Sequence, residues 1–282
     1  MSAEYQDVTK KFTLGEHITP EQQKFYDTFG FVHFKKVFSE ETIMKMREEI
    51  AKAQQKCVDE QIESINGVPV KFGQRVDGSL VPQRTPFMNV LSPYINEIVT
   101  SPMLKPLLEL IPDSRFGLGE RDGVVINHYI NAKKSKFKKL GWHNDSMRDL
   151  FYFEKIRPML NVGIGLFPSS QTMGGLRLIP GTHLQNIFGF LFGKLHILDN
   201  RPDPREIPVE VEIGDLTIHD GRLWHRAASP TVKMSHERKS LYFPILCGPY
   251  KPKNKDSKAP LYVKIFAMGG PKFTDKKPDA KI

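Results

Sequence analysis

The stretch GWHNDSMRDL, residues 141–150, sets a histidine and a carboxylate two apart, His143 and Asp145. In an extended segment, side chains at i and i+2 point the same way, so this imidazole and carboxylate can converge on one ion. Such a pair is common by chance, and two ligands do not complete a site. A second histidine on a later strand would make a 2-His-1-carboxylate facial triad, which leaves three positions of an octahedral ion open and marks non-heme Fe(II) oxygenases. Two candidates stand together in GDLTIHDGRLWHRAASPTV: His219 and His225, six apart across an Asp-Gly turn. Thirteen residues after His225 comes Arg238, in ERKSLYFPIL. A guanidinium there suits bidentate pairing with the distal carboxylate of 2-oxoglutarate.

The elements that must position these residues change character along the chain. The first third reads as helical. Thr19, Pro20 and Gln22 form a helix start with the spacing of a capping box, and Gly30 is a stop. FVHFKKVF alternates as a short strand. Ser39 caps a second helix in which Ile43, Met46, Ile50 and Ala53 share a face, and a third helix is predicted over residues 101–110. From Gly123 onward VVINHYI, MLNVGIGLF, GLRLIP, PVEVEIGD, LTIHD, LWHRAA and KSLYFPIL read as strands, with Gly214-Asp215 and Asp220-Gly221 as turns. Helices first and short strands later predict an α+β chain whose second part is a sandwich or double-sheet barrel. An alternating doubly wound fold is disfavoured.

Composition restricts the function classes. Hydrophobic residues make up 39% and aromatics 10%, as in a globular protein. No signal-peptide core and no run of 18 apolar residues is visible, so the expectation is a soluble intracellular, cytoplasmic protein. Cys57 and Cys247 have neither zinc-type nor redox-motif spacing and read as reduced packing residues. Nine lysines against three aspartates place +6 of the net +9 in residues 251–282, a solvated basic tail, so no nucleic-acid partner is expected. A second run, Lys133, Lys134, Lys136, Lys138 and Lys139, precedes His143 and would attract an anionic substrate to a site there.

These pieces, taken in order, resemble the phytanoyl-CoA hydroxylase family of Fe(II)/2-oxoglutarate-dependent oxygenases. ITPEQQKFYDTFGFVHFKKVFSEETIMKMREEI, WHND, GGLRLIPGTH, GDLTIHDGRLWHRAASP and ERKSLYFPI carry the resemblance over about residues 14–248. It implies a double-stranded β-helix, the jelly-roll or cupin-like core, with N-terminal flanking helices. The implied layout is one oxygenase domain over 1–250, helical over about 14–112 and jelly-roll over about 113–250, followed by the tail 251–282. It also implies that His143, Asp145 and His225 bind Fe(II), since DGRLWH puts His225 rather than His219 in the distal position. Arg238 would hold the 2-oxoglutarate 5-carboxylate. Related halogenases lack the carboxylate, so Asp145 favours O2-dependent hydroxylation with release of succinate and CO2.

Secondary assignments are less specific. Asn127, Tyr129 and Asn161 are candidate cosubstrate contacts or satisfied barrel residues. Arg84, Arg148, Tyr152 and Trp224 are candidate substrate residues, and Trp224 and Trp142 also read as wall packing. The mixture suits a small or lipid-like amphipathic substrate with an anionic group, such as an acyl-CoA, carboxylate or phosphate ester. His33, His128, His183 and His196 read as structural. Two other classes remain open: a jelly roll that binds metal or ligand without turnover, and a nucleic-acid or membrane-surface protein acting through the tail with Phe266 and Phe273.

Overall fold

A computed structural model describes residues 8–75, 77–130, 140–151, 155–231 and 238–258. The lysine run 133–139, Tyr152, His236, Phe266 and Phe273 lie outside them. Helix α1 (Pro20–Phe29) starts on both halves of the capping box: Thr19 Oγ1 accepts from the Gln22 amide and Gln22 Oε1 accepts from the Thr19 amide. It stops at Gly30, which is left-handed at φ 74° and sits where a Cβ would stand 2.4 Å from His183 Nδ1. Strand β1 (Phe31–Phe34) is buried on both faces. Helix α2 (Glu40–Asp59), capped by Ser39, buries Ile43, Met46, Ile50 and Ala53.

Four strands follow that the helical reading of the first third did not separate: β2 (Ser64–Ile65), β3 (Val68–Pro69), β4 (Lys71–Gln74) and β5 (Leu80–Thr85). They are short and carry Gly67, Gly73, Pro69 and Pro82, which obscure any period-2 pattern. Helices α3 (Met88–Leu91) and α4 (Pro93–Val99) come next. The helix expected over 101–110 is a 3-10 helix, Pro102–Leu110, because Pro106 inside it has no N–H to give an α-helical ladder.

The remaining elements are β6 (Ser114–Phe116), β7 (Val125–Tyr129), β8 (Leu140–His143), α5 (Met147–Phe151), β9 (Met159–Ile164), β10 (Gly175–Leu178), α6 (Ile187–Phe192), β11 (Ile207–Pro208), β12 (Leu216–Asp220), β13 (His225–Ala228) and β14 (Arg238–Cys247). The strand expected over PVEVEIGD shrinks to β11 and a single Ser169–Val211 bridge, since the chain then turns at Glu212–Asp215.

Two antiparallel sheets make the jelly roll. The larger runs β1-β12-β9-β14-β7-β5-β4, with β6 beside β14; the smaller runs β11-β10-β13-β8. Alternation divides the larger sheet. Leu160 and Val162, Leu216 and Ile218, and Leu241 and Phe243 pack with Ile43, Met46, Ile50 and Ile95 of the helices in the main core. Their neighbours Asn161, Gly163, Thr217, His219, Ser240 and Tyr242 line a cavity whose other wall includes His143, Gly175 and His225 of the smaller sheet. Cys57 and Cys247 are both free thiols. No helix among the described residues is long and apolar enough to cross a membrane.

One buried carboxylate ties the helical layer to the site. Asp220, at the end of β12, accepts from Tyr26 Oη at 2.9 Å, the Arg222 amide at 2.8 Å and Arg222 Nη2 at 2.7 Å. It closes the turn that delivers His225. Asp220→Ala leaves the phenol and guanidinium without their acceptor, and a loss of about 3 kcal/mol is expected in urea unfolding. An unchanged midpoint would show the turn to be held by other contacts.

Candidate metal centre

Strand pairing assembles the donors. His143 ends β8, His225 opens β13, and the two are direct partners across the ladder, with a bulge before Ala227. Asp145 lies past the strand end, in the turn before α5 rather than in the extended run expected from its spacing. That turn is pinned by Ser146 N donating to Gly221 O at 2.8 Å and Met147 N donating to Asn144 Oδ1 at 2.9 Å. One ligand atom each from His143, Asp145 and His225 then lies within 4.8 Å of the others. Asp145 Oδ1 is 3.9 Å from His143 Nε2, and Oδ2 is 3.7 Å from His225 Nε2.

The protonation pattern fits a divalent cation. His143 Nδ1 is 2.8 Å from Gly141 O and His225 Nδ1 is 3.0 Å from Leu223 O. A carbonyl only accepts, so each Nδ1 carries the proton and each Nε2 turns a lone pair to the centre. Burial pushes both imidazoles below their usual pKa, His225 strongly, which keeps them in the neutral form a metal needs. Burial alone would raise Asp145, but the surrounding His225, His219 and His143 hold it well below the usual carboxylate range. Asn161 Nδ2 donates to Asp145 Oδ2 at 2.9 Å and orients it. Partners of this kind typically contribute 10–100-fold in metal affinity, so Asn161→Ala should weaken Fe(II) or Co(II) binding by about that factor in a chelator competition. Unchanged affinity would remove Asn161 from the site's support.

The cavity holding these groups has a volume of about 190 Å³ and is lined by nearly all the other sequence candidates. Arg238 heads β14 opposite Tyr129 on β7, and its guanidinium stacks 4.3 Å from the Tyr129 ring centre. Gly175, at φ 120°, leaves that guanidinium room: a Cβ there would lie 3.2 Å from Arg238 Nη1. The buried Asn127 Oδ1 has no hydrogen-bond partner among the described residues, so this cavity-lining amide is free to meet a ligand. Arg84 and Arg148 both bond Asp122 Oδ2, at 2.7 and 2.6 Å, on one wall. Burial would raise Asp122, but Arg148, Arg84 and Lys253 pull it down; burial pushes the neighbouring Lys71 and Lys253 to about 8.

Two sequence assignments change. Trp224 does not reach the cavity: it is buried with Trp142 and Ile179, and its indole donates to Gly189 O at 3.1 Å, so it packs behind the site. His219, set aside as a strand residue, lines the cavity with its Nε2 3.6 Å from Asp145 Oδ2 and its ring 4.4 Å from that of His225. The clue was its face: on β12 it alternates with Ile218, and that places it inward opposite Asn161.

The matched region of the sequence decides the relationship. Residues 26–232 fit the profile of the phytanoyl-CoA dioxygenase family, a span that includes all three donors and ends before Arg238. The chain belongs to that family. As a phytanoyl-CoA dioxygenase family member it is an enzyme of the Fe/2-oxoglutarate-dependent class, and its donor set is the one that chemistry requires. No curated protein matches the sequence. Solved structures share the fold at low identity. The epimerase SnoN, in complex with Fe3+, alpha ketoglutarate and nogalamycin RO, is 17% identical with a TM-score of 0.61, over 86% of this chain and 92% of that one. The carbocyclase SnoK from nogalamycin biosynthesis is 18% identical with a TM-score of 0.60, over 88% and 92%. HygX from Streptomyces hygroscopicus, with nickel and 2-oxoglutarate bound, is 17% identical with a TM-score of 0.55, over 85% and 88%.

Proposed function

We propose that this family member is an Fe(II)- and 2-oxoglutarate-dependent hydroxylase of a small or lipid-like amphipathic molecule with an anionic group. The observation that carries the reading is the opening of the His143–Asp145–His225 donor set into the same cavity as Arg238. Iron bound there with 2-oxoglutarate and O2 supplies the oxidising power to hydroxylate an unactivated C–H bond, 2-oxoglutarate leaving as succinate and CO2.

The residues around it do the rest. His143, Asp145 and His225 would hold the ion, and three protein donors would leave its remaining positions to ligands. Arg238, backed by Tyr129, pairs with the distal carboxylate of the cosubstrate, and Asn127 is placed to hydrogen-bond it. Asn161 holds the Asp145 carboxylate in register. Arg84 and Arg148 are the cationic wall that orients an anionic substrate group, while Val125, Met159 and Leu176 supply the apolar lining. Asp145 would take the ligand position that related halogenases leave to a halide, which supports hydroxylation.

Anaerobic titration of the purified chain with Fe(II) and 2-oxoglutarate tests the assignment. A visible metal-to-ligand charge-transfer band is expected, followed by O2-dependent succinate formation. Iron binding with neither band nor succinate would make this a metal-binding jelly roll without turnover.

A further inference from the structure

Among the described residues three imidazoles line the cavity, and one of them, His219, has no role in the site as built so far. His143 and His225 each hold a backbone carbonyl at Nδ1. His219 is 1% exposed, and neither of its ring nitrogens has a hydrogen-bond partner among the described residues. A buried N–H without an acceptor is rare in folded proteins, so the ring calls for a use. It is not one of the three residues whose ligand atoms lie within 4.8 Å of one another, which argues against a fourth metal donor.

Strand register supplies that use. His219 on β12 stands directly opposite Asn161 on β9, and both side chains reach for the same atom. Asn161 Nδ2 donates to Asp145 Oδ2 at 2.9 Å, and His219 Nε2 lies 3.6 Å from that oxygen. At this distance there is no hydrogen bond, but a shift of about 0.5 Å would make one. The His219 ring is held in place for it, 4.4 Å from the ring of His225 and 6.3 Å from that of Tyr242.

We infer that His219 donates from Nε2 to Asp145 Oδ2 when the carboxylate takes a cation, and that His219 and Asn161 together confine Asp145 to a single bond to the metal, through Oδ1. The inference rests on the oxygenase reading, in which the number of free ligand positions matters. Three protein donors leave three positions of an octahedral ion, and an α-keto acid chelating through two oxygens, together with O2, uses all of them. A carboxylate bound through both of its oxygens would take one of the three. Each carboxylate oxygen has about two lone pairs, so two donors on Oδ2 leave none for the ion. His219 is thus a positioning residue that acts through Asp145. A carboxylate only accepts, so the proton of His219 belongs on Nε2, the reverse of the tautomer in His143 and His225.

The test loads the full chain with Mn(II) alone and counts the waters on the bound ion by water-proton relaxation. His219→Phe keeps a ring but loses the N–H, so Oδ2 should turn to the ion and the count should fall from about three to about two. His219→Gln, whose amide nitrogen can stand in for Nε2, should restore the full count. An unchanged count in His219→Phe would reduce His219 to packing and overturn the inference. A count that rises by about one, with Mn(II) affinity down about a hundredfold, would make His219 a fourth ligand and also overturn it. NMR of the unmodified Zn(II)-loaded chain with isotope-labelled histidine gives a check that needs no variant. His219 should be protonated at Nε2 and both His143 and His225 at Nδ1, and a His219 ring protonated at Nδ1 would overturn the inference. An unmodified chain with the full water count but no succinate from 2-oxoglutarate and O2 would instead strike the oxygenase reading.

Discussion

Asp145→Ala is expected to leave a folded protein that neither holds Fe(II) tightly nor oxidises 2-oxoglutarate. The carboxylate is the only anionic donor in the cluster, and it stands between two neutral imidazoles in a buried site. Without it, a divalent cation would keep its full charge in a poorly hydrated cavity, and Asn161 Nδ2 would lose its acceptor. Metal affinity should fall by about two to three orders of magnitude and O2-dependent succinate formation by at least about a thousandfold. Circular dichroism should stay native, because Asp145 sits in a turn anchored by Asn144 and Ser146. Asp145→Glu keeps the charge on a longer arm and should retain part of the metal binding. Full turnover in the alanine variant would mean that the donors are misassigned, with His219 the next residue to replace.

Arg238→Ala separates cosubstrate binding from metal binding. Its guanidinium lines the cavity and stacks on Tyr129, at the β14–β7 pair next to the donor wall. Truncating one partner of a desolvated charge pair costs roughly 2–5 kcal/mol, so KM for 2-oxoglutarate should rise by about a hundredfold. Fe(II) affinity should be unchanged, and kcat at saturating 2-oxoglutarate should change far less than KM. Arg238→Lys keeps the charge but loses the planar fork, and should fall between the two. Initial rates of succinate formation across a 2-oxoglutarate series settle it. An unmoved KM would shift the anchoring role to Arg84 or Arg148 on the same cavity.

Local chemistry was readable because it is written in neighbouring residues. Thr19 and Gln22 announce a capping box, Ile43 to Ala53 mark one helix face, and VVINHYI, LTIHD and KSLYFPIL alternate cleanly once one face is packed on helices. The donors His143 and Asp145 were visible for the same reason. What spacing does not encode is which strands pair. His219 meets Asp145 because β12 lies beside β9 and the Asp145 turn folds over them, contacts between residues 74 apart in sequence. Trp224 looked like a site residue by adjacency to His225, yet alternation along the β13 approach sends the two side chains to opposite sides. β4 and β5 were lost to prolines and glycines, and the 3-10 form of Pro102–Leu110 depends on one missing amide.

The order of strands in the larger sheet has a consequence for how the protein is made. β14, the last strand described, is not at an edge but between β9 and β7. Until Cys247 has left the ribosome, β9 and β7 each present an open edge where their shared neighbour belongs. The helices and much of the apolar core precede this strand, so the nascent chain is a nearly complete layer with a slot through its middle. Long-range closure of this kind is slow and exposes pairing edges meanwhile. Arg238 arrives on the strand that fills the slot, so a chain stalled short of it carries all three metal donors and no anchor for the cosubstrate.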